Sequence, residues 1–122
     1  MNTQQNTAPM ASLLYARGLV DPDASFAQMH EQAEAVSACL QSLIAQLDQV
    51  SDETSEEQIQ SHFYEAGKIR FAHDLRYWFR VLYQVLIKDD NGPRLGQFTK
   101  IMTPDWIQYR LHKAMHDPWG AV

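Results

Sequence analysis

"DLRYWFRVLYQVLIKDDNGPRLGQF", residues 74–98, decides how the rest of this chain is read. Leu75, Trp78, Phe79, Leu82, Val85 and Leu86 recur at i, i+3, i+4 and i+7, the spacing that puts them on one face of an α-helix. Val81 and Ile87 carry the apolar surface round the flanks, which predicts a helix central to its bundle. Asp74 is placed to cap its start. Asn91-Gly92 predicts a left-handed exit, and Pro93 bars continuation while pre-setting the next helix. The side away from the core carries Arg76, Arg80, Gln84 and Lys88, four apart and therefore in one stripe. Like charges at this spacing repel by about 0.2–0.5 kcal/mol. A row of exposed cations suits phosphate contacts. On composition alone, a solvated face or pairing with acids elsewhere is the simpler reading.

Working outward, the same periodicity recurs. A short helix is expected from about Pro9 to Gly18, then a turn at "VDPDAS". From Phe26 the apolar positions Phe26, Met29, Ala33, Val36, Leu40, Leu43, Leu47 and Val50 define one long amphipathic helix, capped by Asp23 or Ser25. The next begins in "SDETSEEQ", with Ser55 and Gln58 or Thr54 and Glu57 as a capping box. Its expected inner face is Ile59, Phe63, Ala66 and Ile69. Gly67 within it costs about 1 kcal/mol against alanine, which marks a close helix crossing. "PRLGQFTKIM" is expected to form a short helix, and "TPDWIQYRLHKAMH" another, with Thr103 as cap and Pro104 at its first position. No strand pattern, repeat or low-complexity segment is visible. The reading is an all-α fold, a single compact bundle of about six helices over residues 9–116, with tails at 1–8 and 117–122.

The 122 residues suffice for one core and not for a catalytic domain plus a binding domain. Hydrophobic residues at 45% and charged ones at 20% fit a soluble globular chain, and no apolar run is long enough to span a membrane. The N-terminus lacks the basic and apolar regions of a signal peptide, and the single cysteine, Cys39, has no internal partner. A reducing cytoplasm is the expected setting. Cys39 lies beside the long helix's seam and reads as a small buried hydrophobe.

The net charge of −5 hides an asymmetry. Residues 1–63 hold one cation, Arg17, against nine acids, whereas residues 64–122 hold nine cations against six acids. Such a division suits an anionic partner for the second half, or attraction between the halves. In "NGPRLG", Gly92 permits a positive φ and Gly96 a close backbone approach. Arg94 falls in the first turn of the following helix, where the dipole favours anions, so a carboxylate or phosphate partner is expected to hold it. Tyr77, on the polar side of its helix, and Trp106, near a helix start, are the aromatics best placed to stack on unpaired bases. The histidines, His30, His62, His73, His112 and His116, are scattered. His112 and His116 share a face but lack a third ligand, so no metal site is expected. No nucleophile elbow, Gly-rich phosphate loop or paired-cysteine pattern is present, and no cofactor is expected.

The stretch "HFYEAGKIR…DLRYWFRVLYQVLIKDDNGPRLGQFTKIM", residues 62–102, resembles the C-terminal end of class I lysyl-tRNA synthetases. The matching residues are Tyr64, Glu65, Gly67 and Lys68, then Trp78, Phe79, Arg80, Leu82, Tyr83, Val85 and Leu86. They continue through Gly92, Pro93, Arg94, Leu95, Gly96 and Phe98. In that family the region is a helical anticodon-binding domain, an α-helix cage. The resemblance thus implies binding of the anticodon stem-loop of lysine tRNA without aminoacylation chemistry. The family's nucleotide-binding catalytic motifs do not occur in these residues. Phosphate contacts are expected from Arg76, Arg80, Lys88, Arg94 and Lys100, with Tyr77 or Trp106 stacking a base. A separate synthetase catalytic subunit is the second partner this implies. The chain departs from the family at Asp89 and Asp90, which add negative charge beside the stripe. The alternative is a stand-alone helical interaction or regulatory domain that has lost RNA binding, in which the acidic half would cover the stripe.

Overall fold

The computed structural model describes residues 6–119 of the chain. The outermost parts of both expected tails, 1–5 and 120–122, lie outside the described residues. Among the described residues six helices follow one another: α1 (Ala8–Ala16), α2 (Phe26–Leu47), α3 (Glu56–Phe71), α4 (Leu75–Ile87), α5 (Leu95–Met102) and α6 (Pro104–His116). Among the described residues there is no strand. The caps are those the local sequence favours. Ser25 with Gln28 and Ser55 with Gln58 form complete capping boxes, and Asp74 and Thr103 accept from the amides of Tyr77 and Trp106.

The apolar seam of α2 is buried from Ala33 to Leu47, and Cys39 is sealed within it. Burial pushes the Cys39 thiol up from its ordinary range, as the desolvated thiolate is disfavoured. Helix α2 packs against α1, α3 and α6. Helix α4 packs chiefly against α3 and α6, so it is less central than its apolar girth suggests. The helix with most neighbours is α6, which touches α1, α2, α4 and α5. Two seam assignments are corrected. Phe26, the first residue of α2, is 75% exposed at the rim of a cavity it shares with Ala8, Ala11 and Tyr15 of α1, and its ring lies against His30. Ile69 is also exposed, because the inner face of α3 runs through Gln60 and Phe71.

Gly67 is the crossing that the sequence marks. A Cβ there would lie 2.2 Å from Cδ1 of Trp78. The indole is fully buried in the notch, and its Nε1–H donates to the Phe63 carbonyl at 2.8 Å. Burying an indole removes on the order of 200 Å² from water, a gain of about 5 kcal/mol, which outweighs the ~1 kcal/mol that glycine costs the helix. At Gly96 a Cβ would meet the Glu56 carbonyl oxygen at 2.2 Å, so α5 crosses the start of α3 backbone to backbone.

That crossing also supplies the cap that α5 lacks in its own sequence. Arg94 at the N-cap position makes no side-chain cap, and the Gly96 amide instead donates to Oε1 of buried Gln60 at 2.7 Å. The exit from α4 differs from expectation as well. The left-handed residue is Lys88, φ 59°, and not Asn91 or Gly92. An early turn lets the acidic loop fold back, where Asp90 reaches Arg80 and Gln84 and the Tyr83 hydroxyl donates to the Pro93 carbonyl at 2.7 Å.

Gly67→Ala should lose about 1–3 kcal/mol of stability in urea denaturation despite its higher helix propensity, through overpacking against Trp78. Gly96→Ala should lose at least as much, because the atom it meets belongs to a backbone that cannot rotate away. Parental stability in both variants would show that these helices are free to separate.

Candidate nucleic-acid interface

Helix α4 aims Arg76, Arg80, Gln84 and Lys88 away from its buried face, as its period dictates, and each is held differently. Arg76 and Lys88 are exposed and have no carboxylate at salt-bridge distance among the described residues. Arg80 is bound within the fold. Its Nε donates to Asp90 at 3.0 Å and its terminal nitrogen to the Gly18 carbonyl at 3.3 Å, which ties α4 to the end of α1. Gln84 donates to the same Asp90 oxygen at 2.8 Å. The hydrogen bond from Gln84, then that from Arg80, holds the Asp90 carboxyl below its ordinary value.

The arrangement leaves Arg80 available to other anions. Its side chain is 41% exposed and Asp90's 55%, and a surface pair of this kind contributes little and exchanges readily. Linkage fixes the sign with pH. A carboxyl depressed in the folded state stabilises above its unfolded range, and that contribution is lost as pH falls through the lowered value. Near neutrality the pair is therefore fully formed.

The acidic first half does not cover the stripe. Among residues 6–63, Glu34 reaches a second-half cation, Arg70, in a two-pronged pair at 2.8 and 2.9 Å that holds the Glu34 carboxyl low and raises the Arg70 guanidinium. That pair ties α2 to α3, away from α4. Arg94 is exposed at the N-cap of α5, where its charge favours the phenolate of nearby Tyr83, although burial is the larger influence and pushes that phenol up. No carboxylate pairs with Arg94 among the described residues.

Three other expected contacts are placed elsewhere. Tyr77 turns inward: its ring lies 5.2 Å from that of Phe71 and its hydroxyl donates to the Leu19 carbonyl at 2.8 Å. The loop after α1 needs a donor at that point, which overrides the outward position its helical phase suggests. Trp106 is half-buried, edge-on to Phe98, with the Arg110 guanidinium 5.6 Å above its ring. Lys100 donates to the Asp52 carbonyl at 3.3 Å and borders a cavity of about 500 Å³ that Asp48, Asp52 and Asp105 also line. That wall is acidic and repels phosphate. The stripe gains instead three cations that sequence reading did not group with it. Arg17, Arg110 and Lys113 surround a second cavity with Lys88 and Gln84. Their three-residue spacing on α6 links only Arg110 with Lys113. Among the described residues no three His, Cys, Asp or Glu side chains converge on a metal-sized site, and no helix is long and apolar enough to cross a membrane.

Over 80 residues, 62% of this chain, the sequence is 39% identical to a lysine–tRNA ligase of Rickettsia prowazekii and 36% identical to that of Rickettsia typhi. Over 69 residues it is 38% identical to the lysine–tRNA ligase of Rickettsia felis. The matched segment is about 15% of the length of the first two ligases. No family model matches the chain, and no solved structure does. The helical domain is thus related to a small segment of lysine–tRNA ligases.

Asp90→Asn should release Arg80 from the one carboxylate it pairs with among the described residues and raise the salt needed to elute the protein from heparin. Unchanged elution would show that Asp90 does not restrain the stripe.

Proposed function

We propose that this domain is the tRNA-binding module of a class I lysyl-tRNA synthetase type, corresponding to its C-terminal anticodon-binding cage. It grips the anticodon stem-loop of lysine tRNA in the cytoplasm, and the chemistry of aminoacylation belongs to a catalytic body outside these residues. The observation that carries the reading is the basic stripe on α4, in which Arg76 and Lys88 have no carboxylate at salt-bridge distance among the described residues, in a chain of which 62% is similar to lysine–tRNA ligases. Among the described residues Arg76, Lys88 and Arg94 have no carboxylate to displace, and Arg80 exchanges Asp90 for a phosphate oxygen. Phosphate contacts of this kind position an RNA without reading its sequence. Tyr77 and Trp106 are engaged within the fold, and the grip rests on the cations.

The test is filter binding of the lysine tRNA anticodon stem-loop across a salt series. Affinity should fall with salt, and Arg76→Glu, Arg80→Glu and Arg94→Glu should each weaken binding by about tenfold or more while lowering the salt slope by about one. Absence of retention at low salt, or indifference to all three reversals, would reject the proposal.

A further inference from the structure

Where α3 runs beside α4, three aromatic rings come together at the surface. The centroids of Tyr64 on α3 and Phe79 on α4 lie 4.8 Å apart, with the planes tilted by 58°. Phe79 therefore backs one side of the Tyr64 ring, yet Tyr64 keeps 40% of its surface in solvent. Tyr83 follows Phe79 by four residues and Arg76 precedes it by three, so all three lie along one edge of α4. Burial pushes the Tyr83 phenol up; beyond burial, Arg94 lowers it and Tyr64 raises it, which places both beside Tyr83. The patch is thus bracketed by Arg76 at one end and by Arg94 at the other.

The tyrosines of α3 and α4 are not equivalent. Tyr77 and Tyr83 donate their hydroxyls to the Leu19 and Pro93 carbonyls. A Cβ at Gly92 would lie 3.2 Å from the Tyr83 ring, so the loop after α4 closes over that ring as well. The Tyr64 hydroxyl, by contrast, has no hydrogen-bond partner among the described residues. Tyrosines at the rim of a core usually tie their hydroxyls to a partner, as the other two do. Glu65, the acid next to Tyr64, pairs with Lys68 at 3.4 Å, and neither Arg76 nor Arg94 meets a carboxylate among the described residues. Tyr109 is more exposed, at 52%, but among the described residues no second ring backs it. An open aromatic ring flanked by unneutralised arginines is the surface that takes up a single-stranded base: the ring stacks on the base while the cations hold the backbone.

On the basis of the RNA reading, we infer that Tyr64, backed by Phe79, stacks an unpaired base of the anticodon loop, with Arg76 and Arg94 on the flanking phosphates. Stacking releases no counterions, so this contact adds affinity that salt does not remove. It accepts any base, since every base presents a π face.

The test uses the anticodon stem-loop of lysine tRNA with aminopurine, a base whose fluorescence is quenched by stacking, at each unpaired loop position in turn. Binding should quench one position above the others. Tyr64→Ala should abolish that quenching and weaken binding by about tenfold, with the salt slope unchanged. Tyr64→Phe keeps the ring and should retain both quenching and affinity, and Tyr109→Ala should bind as the parent does. An abasic nucleotide at the quenched position should cost the parent about the same tenfold and cost Tyr64→Ala nothing further. A loss caused by misfolding would not cancel in that way. Binding that falls on reversal of Arg76 or Arg94 but ignores Tyr64→Ala would overturn the stacking and leave the RNA reading standing. Equal losses in Tyr64→Phe and Tyr64→Ala, or additive losses with the abasic loop, would also overturn it. Absence of binding by the parent protein would overturn both.

Discussion

The indole of Trp78 lies where α3 and α4 meet, in a space that exists because residue 67 has no side chain. Its hydrogen bond to the Phe63 carbonyl fixes the ring's orientation as well as its depth. Cys39 of α2 adjoins the same point, its Sγ 4.0 Å from the Gly67 carbonyl oxygen. Three helices therefore take their relative positions from one notch. Because Trp78 fixes which way α4 faces, it also fixes that Arg76, Arg80, Gln84 and Lys88 look outward. The basic stripe is a consequence of how the apolar side is locked.

Charge is distributed in keeping with that frame. Most of the acids belong to the first half of the chain and most of the cations to the second, a division that would permit mutual neutralisation. The fold brings about little of it on α4. The α2 carboxylate of Glu34 goes to Arg70 on α3, while among the described residues the one carboxylate that the stripe meets is Asp90 of its own loop. The acidic wall beside Lys100 lies elsewhere, so a domain with negative net charge presents surfaces of opposite sign. Overall charge is a poor guide to what such a molecule binds; local geometry decides it.

The end of α4 joins the stripe to the cavity between α1, α4 and α6. Lys88 belongs to both, and its left-handed backbone both ends the helix and returns the acidic loop to Arg80. A residue in a strained conformation that serves capping, loop direction and charge placement is kept there by the surrounding contacts, not by its own preference.

The sequence by itself determined the six helices, their order and most of their caps. Ser25, Ser55, Asp74 and Thr103 act on amides within three residues, and helical phase is set by neighbours three and four positions away, so both are local properties. The Gly67 crossing was also legible, since a glycine inside a helix needs a packing reason. Tertiary structure alone decided that Gln60 caps α5, that Tyr77 turns inward to the loop after α1, that Lys88 takes the left-handed position, and that Asp90 engages Arg80. It also gathered Arg17 with Arg110 and Lys113, which stand near opposite ends of the chain. A period of 3.6 residues states which way a side chain leaves its own helix; which helix waits there depends on packing that closes over the whole chain.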